Sequence, residues 1–230
     1  FADIGQSLMI YENNSMRKFE ESVSWLYYPG DNIIGYNGRD GFCVYYRGKN
    51  QLLEPYFPRW IRVSKDIIAY SSYKGVLKVF NEMGHFEVES NNVDSCNVGN
   101  GFAVYYNNLN HWIALYGMEK IKLLPIKPTF YKINRNMMVF GDQANHFYVF
   151  YKGVKTRLEN YIPSSYKMDD DMLVYKDLYG KLKGFKNGVK IDISSQIAID
   201  YELQNQCVIY YDRTNAAKKV WYEGVEYRNN

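Results

Sequence analysis

The sequence predicts an all-β fold made of tandem repeats, and three observations carry this prediction. A short apolar anchor recurs along the 230 residues, and the last five anchors are 35 residues apart. An aromatic residue follows each anchor by seven positions, and turn-forming residues separate it from a further aromatic. A fixed period of this length is typical of repeat architectures, in which each unit packs against its neighbours. The anchors are Ile4, Pro29, Val63, Val98, Ile133, Met168 and Leu203.

The paired aromatics place two strands in each unit. In two units adjacent tyrosines compete for the first aromatic position, and Tyr106 and Tyr211 fit the downstream spacing of ten residues better than their predecessors. Tyrosine suits such positions because its ring packs while its hydroxyl reaches a turn or water. The pairs are Tyr36/Tyr46, Tyr70/Phe80, Tyr106/Tyr116, Phe140/Phe150, Tyr175/Phe185 and Tyr211/Trp221.

Glycines and alternating segments complete each unit. The stretch between the paired aromatics is rich in Gly, Asn, Asp and Ser, which supply the backbone angles of a tight hairpin turn. A second glycine follows the second aromatic in most units, before a closing segment that alternates in polarity. We therefore expect four short strands per unit. The clearest copy has strands at 166–168, 172–175, 181–185 and 189–193.

Helical repeats are the obvious alternative, because tetratricopeptide and ankyrin units also have roughly 33 to 35 residues. The units here carry glycines at two turn positions and are rich in Tyr, Val, Ile and Phe, which favour strands. Apolar residues at the helical spacing i, i+3, i+4 and i+7 are missing. The pattern therefore excludes helical repeats.

Four-stranded antiparallel units in tandem resemble the blades of a β-propeller. The resemblance covers the whole chain and rests on the period, because the signature residues of WD40 and kelch blades are absent. It implies a single propeller domain over residues 1–230 with seven short blades. The first blade is truncated, because Ile4 and Pro29 are only 25 residues apart, with three strands expected near 3–5, 7–11 and 16–19. Six blades or an antiparallel β-solenoid are the alternatives.

Composition excludes two classes of partner. The formal net charge is +3, and Lys and Arg are evenly mixed with Asp and Glu, so we expect no nucleic-acid surface. No apolar run approaches the roughly 20 residues of a membrane span. The chain begins at Phe1 rather than Met, which leaves open whether a leader preceded it.

Residues that could carry chemistry are few. His111 and His146 lie 35 residues apart near equivalent turns and could form a metal or general-base site, but we interpret them as polar turn residues. The run 169–171 contains three Asp residues that could bind calcium, and we interpret it as a solvated turn. We expect the cysteines to be small buried residues without a disulfide or metal role, because none are paired in spacing. They are Cys43, Cys96 and Cys207.

We place a ligand site on the loops that join one unit to the next. Prolines stiffen several of these loops, while the other side chains vary. Arg59 and Trp60 are the main candidates, since an exposed Trp beside an Arg can stack on a sugar or anchor a protein interface; burial of Trp60 is the alternative. A second set is the residue before each anchor, which would form a mixed-charge ring around a channel. It comprises Asp3, Tyr28, Arg62, Asn97, Lys132, Lys167 and Glu202.

The sequence favours a non-catalytic binding or protein-interaction module, with a protein or a carbohydrate as ligand. We expect no cofactor and no metal, and the oligomeric state is left open. The alternative is an enzyme acting on glycans or lactones through a metal or through carboxylates at the channel, with Asp3, Asp142 and Glu202 brought together. Resemblance to Tyr- and Asn-rich secreted bacterial repeat proteins implies a periplasmic or extracellular bacterial location. A sensor domain within a longer protein is a third possibility.

Overall fold

The structure is a computed structural model that describes residues 7–12, 14–20, 26–214 and 216–228. These residues form twenty-five antiparallel strands and no helix, which confirms the all-β prediction. No helix in the described part of the chain is long and apolar enough to cross a membrane. The predicted strand at 3–5 lies outside the described residues.

The strands are numbered in chain order. They are β1 (Leu8–Glu12), β2 (Ser15–Glu20), β3 (Tyr27–Pro29), β4 (Ile33–Gly38), β5 (Gly41–Tyr46), β6 (Lys49–Glu54), β7 (Trp60–Val63), β8 (Ile68–Ser71), β9 (Val76–Asn81), β10 (Gly84–Asn92), β11 (Cys96–Gly99), β12 (Phe102–Tyr106), β13 (Trp112–Tyr116), β14 (Glu119–Leu124), β15 (Phe130–Asn134), β16 (Met137–Gly141), β17 (Phe147–Tyr151), β18 (Val154–Glu159), β19 (Tyr166–Asp169), β20 (Met172–Lys176), β21 (Lys181–Lys186), β22 (Val189–Gln204), β23 (Cys207–Asp212), β24 (Lys218–Tyr222) and β25 (Val225–Arg228).

Consecutive strands pair with one another, and four of the described sheets are four-stranded meanders, as the repeat predicts. We number the sheets in chain order: sheet 1 is β1–β2, sheet 2 is β3–β6, sheet 3 is β7–β10, sheet 4 is β11–β14 and sheet 5 is β15–β18. The last seven strands form one continuous sheet, β19 to β25. We call its first four strands sheet 6 and its last four sheet 7, so that β22 belongs to both.

The length of β22 departs from the prediction of separate strands at this junction. The segment between the two halves contains no proline. Its backbone stays bonded on both sides, because Ala198 N–H donates to Gly180 O at 2.9 Å and Ile197 O accepts from Arg213 N–H at 2.9 Å. Every backbone group that finds a partner in this way favours an extended strand over a loop. The strand therefore continues from one sheet into the next.

Within each compact unit the hydrophobic core lies between consecutive sheets. The chain forms two compact units, residues 1–127 with sheets 1–4 and residues 128–230 with sheets 5–7. In the first unit, Val79 of sheet 3 packs in one cluster with Tyr105 of sheet 4. In the second, Val149 of sheet 5 packs with Tyr175 of sheet 6. Such face-to-face burial is how a repeat protein completes each unit with its neighbour.

The second strand of each complete sheet carries a fully buried aromatic seven residues after the anchor. At the two ambiguous positions the structure buries Tyr105 and Tyr210, which are 1% and 0% exposed, whereas Tyr211 is 44% exposed. The choice of Tyr106 and Tyr211 was therefore wrong. Successive strand residues face opposite sides, and the register with the first strand decides which one faces the core. The buried aromatics are Tyr36, Tyr70, Tyr105, Phe140, Tyr175 and Tyr210.

The predicted turns are confirmed. The glycines after the second aromatic have positive φ, for example 80° at Gly153 and 91° at Gly188, a region that favours glycine. The hairpin between the second and third strands is closed by a side-chain oxygen. Asn107 Oδ1 accepts from the N–H groups of Leu109 and His111 at 3.0 and 2.9 Å. Asp177 does the same in sheet 6, so these polar residues build the scaffold.

Candidate functional site

The predicted ring residues occupy one register position in their sheets. Each lies on the first strand opposite a small or β-branched residue of the second strand; Arg62 faces Ala69 and Lys167 faces Val174. Asp3 lies outside the described residues. That the set surrounds a channel stays a prediction. Its described members are Tyr28, Arg62, Asn97, Lys132, Lys167 and Glu202.

Two cations of this set contact the following sheet. Lys132 Nζ lies 6.0 Å from the ring centroid of Tyr166, and Lys167 Nζ lies 5.1 Å from that of Tyr201. Lys167 Nζ also donates to Tyr201 O. Lys132 and Lys167 are exposed to solvent. Each also joins one sheet to the next, so both have a structural role besides any role in binding.

Trp60 is closer to the predicted alternative, burial, than to an exposed side chain. Its side chain is half-buried and packs against the cluster between sheets 3 and 4. Its indole N–H donates to Val93 O at 3.2 Å. Arg59 is exposed and connects the β8–β9 hairpin to the end of β10, with Nε donating to Tyr73 O at 3.0 Å and NH1 donating to Asn92 Oδ1 at 3.2 Å. Arg59 thus holds the backbone of Tyr73 in place.

Tyr73 lines a cleft between sheets 2 and 3, which we call the first cleft. It has a volume of about 350 Å³, within the roughly 300–1,000 Å³ of small-molecule sites. The end of β6 forms one wall, and the β8–β9 hairpin with β9 and β10 forms the rest. Its lining residues are Glu54, Pro55, Tyr56, Ser72, Tyr73, Lys74, Val76, Lys78 and Glu87.

An exposed tyrosine pair stands at this cleft. The rings of Tyr56 and Tyr73 meet edge to face, with centroids 4.7 Å apart and an interplanar angle of 62°. Tyr56 is 59% exposed and Tyr73 is 44% exposed. Lys74 Nζ lies 5.7 Å from the Tyr73 ring centroid. Tyrosines that expose this much ring while being held by a neighbour offer a rigid stacking surface.

A nearly buried carboxylate also lines the cleft. Glu54 is 7% exposed, and its Oε1 accepts from Lys78 Nζ at 2.6 Å and from Tyr70 OH at 3.1 Å. No described residue donates to its Oε2, which leaves an acceptor for a ligand at the cleft. Burial, and then the charge of Glu54, raise the pKa of Tyr70 far above its usual value. The Tyr70 hydroxyl also lies 2.6 Å from His85 Nε2.

The other chemistry-bearing residues have structural partners. Asp142 Oδ1 accepts from two backbone N–H groups of its hairpin, and Oδ2 accepts from His146 Nδ1 at 2.8 Å and Tyr148 OH at 3.1 Å. Burial raises the pKa of Asp142, but these hydrogen bonds outweigh it and hold the pKa below its usual value. Asp142 is thus a turn cap. His111 lies in the other unit, with Nε2 at 3.2 Å from Lys122 Nζ.

The acidic run contacts neighbouring turns, and the prediction that the cysteines are buried is right for Cys96 and wrong for the other two. Asp169 Oδ2 accepts from Gln206 N–H at 3.1 Å, and Asp171 Oδ1 accepts from Asn136 Nδ2 at 2.9 Å. Cys96 is 2% exposed, and burial raises the pKa of its thiol to about 12, whereas Cys43 and Cys207 are half-buried. Within the described ranges, no three His, Cys, Asp or Glu residues are grouped so as to hold a metal ion.

Sequence analysis found one neighbour of the first cleft, Arg59, and missed the residues that line it. Tyr73 lies in a predicted hairpin turn between paired aromatics, and Tyr56 lies in a loop that joins two repeats, so neither was predicted to bind a ligand. The two are seventeen positions apart, and their contact depends on how sheet 2 packs on sheet 3. The available signal was that the tyrosine at 56 recurs at 161 but at neither repeat between, where Asn91 and Ile126 stand.

Comparison with known proteins finds one family match. The family model for a 10-bladed beta propeller domain matches residues 1–90 and 81–227. No curated protein matches the sequence. Among solved structures, the chain is similar to the computationally designed Ika8 protein, with 16% identity over 94% of this chain and 77% of that one and a TM-score of 0.36.

The chain is also similar to two natural proteins, with comparable coverage and TM-scores. Prp20p from Saccharomyces cerevisiae is 6% identical, over 89% of this chain and 76% of that one, with a TM-score of 0.40. The CRINKLY WD40 ectodomain of the Arabidopsis thaliana receptor kinase ACR4 is 10% identical, over 87% and 80%, with a TM-score of 0.40. At these TM-scores no conclusion about ligands passes from them to this chain.

Proposed function

Since the chain belongs to the 10-bladed beta propeller domain family, we propose that it is a non-catalytic binding module whose ligand occupies the first cleft. Family membership bears out the predicted resemblance to a β-propeller, while the count of seven blades and the single domain over 1–230 stay predictions. A binding role agrees with a scaffold whose polar residues mostly close turns or join sheets. Binding then depends on side chains that leave part of their surface open to solvent or to the first cleft.

The observation that carries the proposal is the exposed tyrosine pair beside a carboxylate with a free oxygen. Tyr56 and Tyr73 are exposed and pack edge to face, and rigid aromatic side chains give contact area at low entropic cost. Glu54 Oε2 supplies an acceptor to which a ligand can donate. Arg59 supports the site through Tyr73 O.

The ring residues are further candidate contacts within each compact unit, Arg62 in residues 1–127 and Lys132, Lys167 and Glu202 in residues 128–230. Arg62, Lys132, Lys167 and Glu202 are exposed and mixed in charge, which suits a polar ligand or a polar protein surface. Trp60 is half-buried, so its part in this proposal is packing rather than direct contact with the ligand. The proposal includes no catalytic residue, cofactor or metal.

Binding of defined probes tests the proposal. The probes are arrays of neutral, acidic and basic oligosaccharides and of 12-residue peptides of defined sequence, applied to the full chain. We compare wild type, Tyr56→Ala/Tyr73→Ala and the control Tyr11→Ala, which removes an equally exposed tyrosine from β1 (66% exposed). Loss of at least about tenfold in affinity, or about 1.4 kcal/mol, only in the double variant supports the proposal. Absence of binding, or equal binding by all three proteins, refutes it.

A further inference from the structure

A second cleft lies in the other unit, beside the β20–β21 hairpin. Its volume is about 480 Å³. Tyr179 is 77% exposed there, and Lys183 Nζ lies 3.3 Å from Glu159 Oε1 and 3.9 Å from Asp177 Oδ2. We call it the second cleft. It is lined by Asp177, Tyr179, Lys181, Lys183, Asp192, Ile193, Ser194 and Ser195.

The two clefts occupy equivalent places, three repeats or 105 residues apart. The second cleft's Asp177, Tyr179, Lys181, Lys183 and Asp192 stand 105 residues after Ser72, Lys74, Val76, Lys78 and Glu87 of the first. Their surroundings also correspond.

The contacts of these equivalent residues match as well. Tyr175 OH donates to Glu159 Oε1 at 2.8 Å, as Tyr70 OH donates to Glu54. Tyr161, which corresponds to Tyr56, accepts a hydrogen bond at its hydroxyl from Leu178 N–H at 3.2 Å. An aromatic ring, a buried Tyr–Glu pair with a lysine, and an acid on the last strand therefore recur together.

The repeats in between do not keep this combination. A residue that the scaffold requires should recur in every repeat, so a set found only in two of them points to a shared ligand rather than to folding. The Tyr–Glu pair with a lysine also occurs in the next repeat, as Tyr105, Glu89 and Lys120, so it belongs to the scaffold. The combination that occurs at the two clefts but not between them is Tyr56, Lys78 and Glu87 at the first and Tyr161, Lys183 and Asp192 at or beside the second; the two intervening repeats have Asn91, Ile113 and Lys122, then Ile126, Tyr148 and Arg157.

The charges of the residues that line the clefts indicate which class of ligand binds there. The first cleft is lined by two acids and two lysines, and so is the second. A charged ligand would meet a like charge as often as an opposite one, which costs binding free energy. A neutral ligand that both donates and accepts hydrogen bonds would satisfy the carboxylates, the lysines and the serines of the walls.

Exposed tyrosines narrow it further. Tyr56, Tyr73 and Tyr179 are exposed, and an exposed aromatic ring can stack on a flat apolar surface. A pyranose ring has an apolar C–H face and a rim of hydroxyl groups, which combines both requirements. We propose that each cleft binds a neutral hexopyranose residue of an oligosaccharide, so that one chain holds two sugars. This inference rests on the proposed function, which it specifies.

Equilibrium dialysis of the full chain tests it. The probes are labelled neutral tetraoses of glucose, mannose, galactose and N-acetylglucosamine, with tetragalacturonate as an acidic comparison. We expect at least one neutral tetraose to bind with two sites per chain and at least about tenfold more tightly than tetragalacturonate. Tyr56→Ala/Tyr73→Ala and Tyr179→Ala should each reduce the number of sites to one, and the triple variant should bind none. Tyr11→Ala, with the same circular dichroism spectrum, should retain two.

The outcomes separate this inference from the proposed function. Tyr56- and Tyr73-dependent binding of peptides but of no tetraose would overturn the sugar ligand and leave the binding module standing. Equal or tighter binding of tetragalacturonate would overturn the neutral specificity. A single site, lost entirely in Tyr56→Ala/Tyr73→Ala, would overturn the second cleft. Binding of neither probe class would overturn both proposals.

Discussion

The buried hydrogen bond from Tyr105 to Glu89 predicts a measurable coupling between sheets 3 and 4. Tyr105 is 1% exposed, and its hydroxyl donates to Glu89 Oε1 at 3.0 Å. Lys120 Nζ lies 3.1 Å from the same oxygen, but its side chain is 48% exposed. We therefore compare Tyr105→Phe, Glu89→Leu and the double variant, which together isolate the Tyr–Glu hydrogen bond.

The magnitudes follow from what each change leaves behind. Tyr105→Phe removes a hydrogen bond to a charged acceptor and should cost about 1.5–3 kcal/mol. Glu89→Leu leaves a buried hydroxyl without an acceptor, which costs about 1–3 kcal/mol, and removes an exposed ion pair that contributes at most about 1 kcal/mol. The double variant replaces both partners by apolar groups and should lose only about 1 kcal/mol, well below the sum.

Urea unfolding followed by tryptophan fluorescence measures these differences. A coupling free energy of about 1–3 kcal/mol is the expected result. Lys120→Met serves as a control and should cost no more than about 1 kcal/mol. Additive single effects, with a coupling below about 0.3 kcal/mol, would refute the claim that the pair acts as one unit. The chain itself places Leu124 and Phe140 at the equivalent positions of the next repeat, so the apolar combination occurs naturally.

Three further predictions concern pH and turns. Burial, and then the charge of Lys78, lower the pKa of His85 below 6.5. The neutral imidazole therefore stabilises the fold above that pH, and this contribution to the unfolding free energy is lost as the pH falls through the folded-state pKa. His85→Gln should flatten the decline in unfolding free energy between about pH 7 and 5. Gly41→Ala would place a Cβ 2.2 Å from Glu54 O and should lower the free energy of unfolding by more than about 3 kcal/mol. Gly188 has a φ of 91° but open space around it, so Gly188→Ala should cost only about 1–2 kcal/mol. Equal midpoints of thermal unfolding for the two variants would contradict this. Asn107→Ala removes the acceptor of two turn N–H groups and should cost about 1 kcal/mol in urea unfolding, and no change would argue against a capping role.

Much of the fold could be predicted because it depends on local pattern. Strand residues, hairpin turns and glycines with positive φ follow from neighbours within a few positions, and the period repeats that information several times. The turn at Asn107 and the glycine at 188 are examples. The first repeat was harder to predict, since part of it lies outside the described residues and it is shorter than the other repeats.

The sequence by itself determined the strands, the turns and the repeat that stacks one sheet on the next. Only the tertiary structure decided which of Tyr105 and Tyr106 is buried, since a shift of one residue in register reverses the faces of a strand. Only it could bring Tyr56 against Tyr73 and Glu54 against Tyr70, because these pairs join different sheets. Local periodicity specifies each sheet, whereas a site between sheets depends on the packing of one face on another.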